Sequence, residues 1–292
     1  MGAGHPEQPA RIDAIERWLE AHGLLSELAR YEAPRVTREQ LERVHDPGLV
    51  TVLEEYAPES GLVAIDGDTS VGPGSWEAAQ RSAGACVLAS DLVLAGEVRR
   101  AFCNTRPPGH HAERGRSMGF CLFNNIAVGA AHALEAHGLE RVAIIDFDVH
   151  FGNGTADIAR RDPRMLLCSS YQHPLYPGMN PPNRPGEEIN CPLPAGSGGE
   201  ELREACEDHW LPALDAFQPQ MLFLSAGFDA AAGDPLAGLQ FTPADFTWLT
   251  AELCAWADRH CDGRVVSTLE GGYALQSLAV CAGLHITALN VG

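Results

Sequence analysis

Asp146, Asp148 and His150 alternate along the stretch DFDVH. Strand side chains alternate between faces, so positions i, i+2 and i+4 share one side. Two carboxylates and an imidazole on one side suit Zn²⁺, Fe²⁺ or another transition ion with a position open for water. Asp229, in SAGFDA, is placed to supply a third ligand beside Asp148 and His150. The competing reading is that these acids cap neighbouring helix N-termini. His110 and His111 follow Pro107, Pro108 and Gly109, which restrain the loop that carries them. Imidazoles held there can exchange a proton near neutral pH. Two purely structural histidines are the alternative. Tyr273 follows Gly271 and Gly272, and its phenol can donate to an oxyanion, although GGY also suits a plain turn.

Such residues need elements to position them. Apolar runs at 98–103, 142–147, 165–168, 221–225 and 265–269 read as strands. They lead into RPPGHHAERG, DFDVHFGNG, SSYQHPLYPG, AGFDAAAGDP and EGGY. Helices are expected at 10–29, 76–95, 124–137, 200–217 and 274–289. A capping-box pattern from Thr37 to Gln40 opens a short helix, and Thr242, Pro243 and Asp245 open one that runs to about 260. Residues 174–199, rich in Pro and Gly, read as one long loop. Apolar strands alternating with helices predict an α/β fold around a parallel sheet buried on both faces. All the polar clusters then converge on the C-terminal edge of that sheet, where ligands bind. One domain over 1–292 is expected.

The chain has 292 residues, with 20 basic against 39 acidic side chains and a formal charge of −19. That balance argues against a nucleic-acid partner. No apolar run approaches a membrane span, and no membrane partner is expected. All the basic residues are Arg; no Lys occurs, so no side-chain amine of this chain can be acylated. The nine Cys are scattered with no CxxC pair, which reads as buried thiols in a reducing cytoplasm.

Taken in order, RPPGHHA, DFDVHFGNG, SAGFDA and EGGY resemble the histone deacetylase family, nearest its class II-like and bacterial amidohydrolase-like members. The resemblance runs from GHPEQPAR through VHDPGLV, GSWEAA, MGFCLFNN and INCPLPAGSG. It implies the arginase/deacetylase three-layer α/β/α sandwich with about eight strands. It makes Asp148, His150 and Asp229 the ligands of one catalytic Zn²⁺. A structural K⁺ would take oxygens of Asp146, Asp148, His150, Ser169 and Ser170. His111 becomes the proton acceptor, with Asn153 behind it where other members have a carboxylate, so His111 should rest neutral. His110 tunes the electrostatics, oriented by Asp146, and Tyr273 with Zn²⁺ stabilises the oxyanion. Gly119, Phe120 and Tyr176 match an acyl-lysine tunnel. Leu236 matches a rim position that is Glu in acetylpolyamine deacetylases. Arg11 matches an arginine of the internal product channel. Only Met1–Ala3 precede GHPE, so the family's first strand is expected to be missing.

The implied reaction is hydrolysis of an acetyl or other short acyl group from a lysine side chain of a peptide or protein. The alternatives are an acetylpolyamine or small-amide deacetylase, and a non-catalytic acyl-lysine binding protein. A two-metal ureohydrolase shares the fold but needs bridging carboxylates that closely spaced Asp pairs would supply.

Overall fold

In the computed structural model, which describes residues 1–2 and 4–291, the apolar runs become strands of one six-stranded sheet. Ala3 and Gly292, at the ends of the expected domain, lie outside the described residues. The first part of the chain forms α1 (Ala10–Ala21), α2 (Arg38–Glu42), α3 (Pro47–Glu55), a two-residue ladder of β1 (Val63–Ala64) with β2 (Ser70–Val71), and α4 (Ser75–Leu94). Then come β3 (Arg100–Cys103), α5 (Asn125–Ala136), β4 (Val142–Asp146), α6 (Asn153–Ala159), β5 (Met165–Gln172) and β6 (Glu188–Leu193). The last part is α7 (Gly199–Glu204), α8 (Leu211–Phe217), β7 (Leu222–Ala226), α9 (Pro243–His260), β8 (Val265–Leu269) and α10 (Leu275–Asn290).

The sheet order is β3-β8-β7-β4-β5-β6, and all its pairings are parallel. The pleat sorts each strand between two helix layers. Ala143 and Ile145 of β4 pack with Leu19 of α1, Leu253 of α9 and Ile286 of α10. Val142 and Ile144 face Cys86 of α4 and Ile126 of α5. Apolar residues on both faces are therefore needed, and the strands read as continuous apolar runs.

Several expectations change. The sheet has six strands, not about eight, and among the described residues no strand precedes α1 or flanks the outer side of β3. Residues 174–199 are not one loop, because β6 forms the other edge of the sheet. Its Asn190 and Pro192 hide it from an apolar-run search, and an edge strand tolerates proline. The first helix stops at Ala21, followed by Gly23 at φ 74°. The helix expected over 200–217 is broken by a π-helical stretch, Ala205–Trp210, just before Pro212. Proline lacks the N–H that a regular turn would use there. The capping boxes at Thr37 and Thr242 form as expected. All nine cysteines are buried and free. No helix of the described residues is long and apolar enough to cross a membrane.

Candidate metal centre and active site

The C-terminal ends of β4, β7 and β8 carry the chemistry. Asp146 closes β4, level with Ser169 of β5 and Ser225 of β7. Beyond it the chain turns, and its own backbone holds the carboxylates. Asp146 Oδ1 accepts the N–H of Asp148 at 3.1 Å, and Asp148 Oδ1 accepts that of His150 at 2.8 Å. Asp148 Oδ2 accepts from Gly271 N at 2.8 Å, and Asp229 Oδ1 from Val149 N at 3.0 Å. Three chain segments are thereby tied at one point.

One ligand atom from each of Asp148, His150 and Asp229 lies within 4.8 Å of the others. His150 Nδ1 is 3.0 Å from Asp148 Oδ1 and 3.3 Å from Asp229 Oδ2. Apart from that 3.3 Å approach of His150 Nδ1, which already faces Asp148 Oδ1, buried Asp229 Oδ2 has no hydrogen-bond partner. A buried charged oxygen without a partner is costly, and a cation is the natural remedy. Burial, then the charge on Asp148, pushes the Asp229 carboxyl up to about 6. His150 responds in the opposite direction. Burial lowers its pKa, but Asp148 and Asp229 outweigh it and raise it to about 10. Gly271 is required here, because a Cβ on it would collide with Asp229 Oδ2. One nitrogen and two carboxylates with an unpartnered oxygen fit a single transition ion.

The two loop histidines differ. His110 Nδ1 donates to Asp146 Oδ2 at 2.9 Å, and its Nε2 is 3.7 Å from Asp148 Oδ1. Burial opposes a charge on His110, yet Asp148 and Asp146 prevail and raise its pKa well above the ordinary value. His111 has no carboxylate against it. Its Nδ1 meets Asn153 Oδ1 at 2.8 Å, while Asn153 Nδ2 donates to Glu113 Oε1 at 2.8 Å. That second bond points the amide oxygen at the imidazole, so His111 Nδ1 carries the proton and Nε2 is left free. Burial, helped by His110 and His150, holds the His111 pKa well below the ordinary value. A Cβ on Gly119 would come within 2.5 Å of the His111 ring.

Aromatic groups surround these rings. Tyr176 is edge-on to His111 at 5.0 Å and 6.1 Å from His150. Phe120 is edge-on to Tyr273 at 5.9 Å. Phe120 takes φ 68°, a strained conformation for an aromatic residue, and Thr69 Oγ1 accepts its N–H at 2.9 Å. Leu236 is half-buried, and its N–H donates to Asp234 Oδ1. Ser169 and Ser170 are buried on β5, and Ser169 Oγ has no partner. Arg11 is fully buried; it donates to Gly272 O at 2.7 Å and lies 4.9 Å over the Tyr273 ring.

Two positioning residues escape a motif reading. Glu270 is buried; its Oε2 accepts from Gly109 N at 2.6 Å and His110 N at 3.1 Å, and its Oε1 from Ser225 Oγ at 3.1 Å. It clamps the histidine loop to β7 and β8, and burial pushes its carboxyl up to about 7. Asp234 Oδ2 accepts the N–H groups of Tyr273 and Ala274, fixing the tyrosine's turn. Glu270 opens EGGY and Asp234 lies within AGFDAAAGDP, but nothing in the sequence shows the distant backbone groups that either acid accepts from.

The model of the histone deacetylase domain matches residues 5–289. The chain belongs to the histone deacetylase family. It is 39% identical over 286 residues to a histone deacetylase-like amidohydrolase of Pseudomonas aeruginosa, covering 96% of this chain and 75% of that protein. It is 36% identical over 290 residues to the human polyamine deacetylase HDAC10, covering 94% of this chain and 43% of that one. The crystal structure of the HDA15 HD domain superposes with a TM-score of 0.93 at 34% identity, covering 99% of this chain and 83% of that one. These relatives support hydrolase activity for this chain, and the six-stranded parallel sheet is a deacetylase-type α/β fold.

Proposed function

We propose that the protein is a zinc-dependent deacylase of acyl-lysine side chains, acting through one catalytic domain over 1–292. The observation that carries the reading is the buried Asp148–His150–Asp229 cluster, beside two histidines with different partners, a carboxylate for His110 and an amide for His111. Those three residues would hold the ion. The chemistry it supplies is polarisation of an amide carbonyl and acidification of a water, and Fe²⁺ could supply it too.

The protein residues do the rest. His111, neutral and with Nε2 free, accepts the proton of the attacking water and returns it to the leaving amine. His110, whose pKa is raised by Asp148 and Asp146, is less suited to that role than His111. It offsets negative charge as the amide is attacked. The Tyr273 phenol stays protonated because burial raises its pKa well above the ordinary value, so it donates to the developing oxyanion. Asn153 holds the His111 tautomer. Arg11, under the Tyr273 ring, stiffens that turn. Oxygens of Asp146, Asp148, His150, Ser169 and Ser170 would bind a structural K⁺; the unpartnered Ser169 Oγ is a donor of the right kind.

Phe120 and Tyr176 border the site with aromatic faces, which suits the four-carbon stem of lysine. An uncharged Leu236 offers no attraction to a second ammonium, which favours peptides over polyamines. The free thiols fit a reducing, cytoplasmic setting. A substrate panel tests the reading. Acetyl-lysine peptides should be turned over faster than N-acetylated polyamines. Preference for the polyamines would overturn the substrate assignment, and no turnover of any amide by the metal-loaded chain would favour a binding protein.

A further inference from the structure

Away from the strand edge, Asp91, His132 and His137 form a second cluster that looks suited to a cation. The bonds argue otherwise. An arginine can only donate, so Arg43 Nη1, 2.8 Å from His132 Nδ1, requires that nitrogen to be unprotonated. The His132 Nε2–H then donates to Asp91 Oδ1 at 2.7 Å. His137 Nε2 reaches the same oxygen at 2.6 Å. The nitrogen a metal would need already carries a proton. What the cluster does is hold Arg43 in place through an imidazole nitrogen, so no carboxylate is spent on that guanidinium.

Arg43 borders a cavity of about 260 Å³, also lined by Arg114, Arg161, Arg164, Glu135 and Asp162, with the remaining lining apolar. Both lining carboxylates are already engaged by Arg164, Glu135 at 2.6 Å and Asp162 at 2.7 Å. Arg114 uses Nε on Asp46 at 2.8 Å, and Arg161 uses Nη2 on Asp157 at 3.0 Å. Each guanidinium has five N–H donors, so most of those on Arg43, Arg114 and Arg161 stay available. Four of the chain's 20 basic residues thus meet at one concavity of a chain whose charge is −19. Planar, multi-donor guanidiniums match phosphoryl oxygens in geometry and charge.

We propose that this cavity binds a phosphate group, either as the free ion or as the phosphoryl end of a small organic molecule whose body meets the apolar lining. The site is separate from the metal centre, and the proposal does not depend on the deacylase reading.

Calorimetric titration of the intact, metal-loaded protein with inorganic phosphate and with adenosine monophosphate, at constant ionic strength, tests it. One site per chain with a Kd below about 1 mM is expected for at least one probe. Arg43→Gln should weaken binding by about tenfold or more while leaving turnover of the preferred acyl substrate unchanged. Arg161→Gln, at an exposed position, should also weaken it and guards against a folding effect at Arg43. Equal affinity for the two probes assigns the site to free phosphate, and a tighter monophosphate assigns it to an organic phosphoryl group. The proposal is overturned if neither probe binds saturably up to about 10 mM, or if both variants bind as wild type does.

Discussion

Two groups of buried histidines show how one residue type is put to opposite uses. His285 lies between neutral hydroxyls, Thr250 Oγ1 at 2.6 Å and Ser267 Oγ at 2.8 Å. His45 bridges backbone groups, Glu113 O at 3.1 Å and Asn124 N at 2.9 Å. Both are saturated, and burial drives them down, to about 3 for His285 and, against backbone bonds that favour the charged form, to about 4 for His45. At the strand edge His110 and His150 are just as deep, yet neighbouring carboxylates lift them. The difference is not burial but partner. A satisfied neutral histidine belongs to the core, whereas buried carboxylates facing imidazoles with an oxygen left over need a further ligand. His111 falls between the groups, neutral like His285 but with one nitrogen free, which is what a base requires.

The largest expected break in that contrast comes from Asp148→Ala. It removes a proposed cation ligand and the main charge facing His110, and should lower kcat/KM for an acetyl-lysine substrate by ~10³-fold or more. A loss of less than tenfold would remove Asp148 from the site. Tyr273→Phe deletes one donor and keeps the ring over Arg11, so kcat should fall ~10²–10³-fold with KM little changed. Rise in KM alone would make Tyr273 a binding residue.

Asn153→Asp sharpens the comparison by giving His111 the carboxylate it lacks. The wild-type His111 pKa is well below 6.5, so the acidic limb of the rate profile should lie below that value. A negative charge on Nδ1–H favours the imidazolium, so the variant's limb should move to higher pH, by about one unit. An unmoved limb would mean that another group controls it. For His285 the folded pKa is depressed below its ordinary 6.5, so the unfolded chain takes up the proton first. Its contribution is complete above about 6.5 and is lost as pH falls towards about 3. His285→Leu should flatten the stability profile in that window, cost ~1–3 kcal/mol at neutral pH, and leave kcat unchanged. A changed kcat would contradict its assignment to the core.

The strand edge was legible because the chemistry proposed there depends on residue type at short spacing. DFDVH pointed to Asp148 and His150 by residue type, although β4 ends at Asp146 and it is the turn beyond it, not strand alternation, that brings them to Asp229. The neutrality expected of His111 also follows, since Asn153 supplies an amide where a carboxylate would charge it. What stayed hidden depends on contacts between distant segments. Glu270 holds Gly109 and His110 across more than 150 residues, at separations of 161 and 160. β6 went unseen because an edge strand can keep Asn190 and Pro192 and so lacks the apolar run of a central strand. The arginine cavity draws on the turn after α2, the loop after His111, α5, the end of α6 and the turn before β5, with no motif in any of them.

Metal removal and return tests the central claim most directly. The purified protein is stripped with a chelator to a metal-free state and titrated with Zn²⁺ while acetyl-lysine turnover is followed. Activity should vanish and return fully at one ion per chain, and Asp148→Ala should not recover. Full turnover by the stripped protein, or recovery only at two ions per chain, would contradict a single Asp148–His150–Asp229 centre.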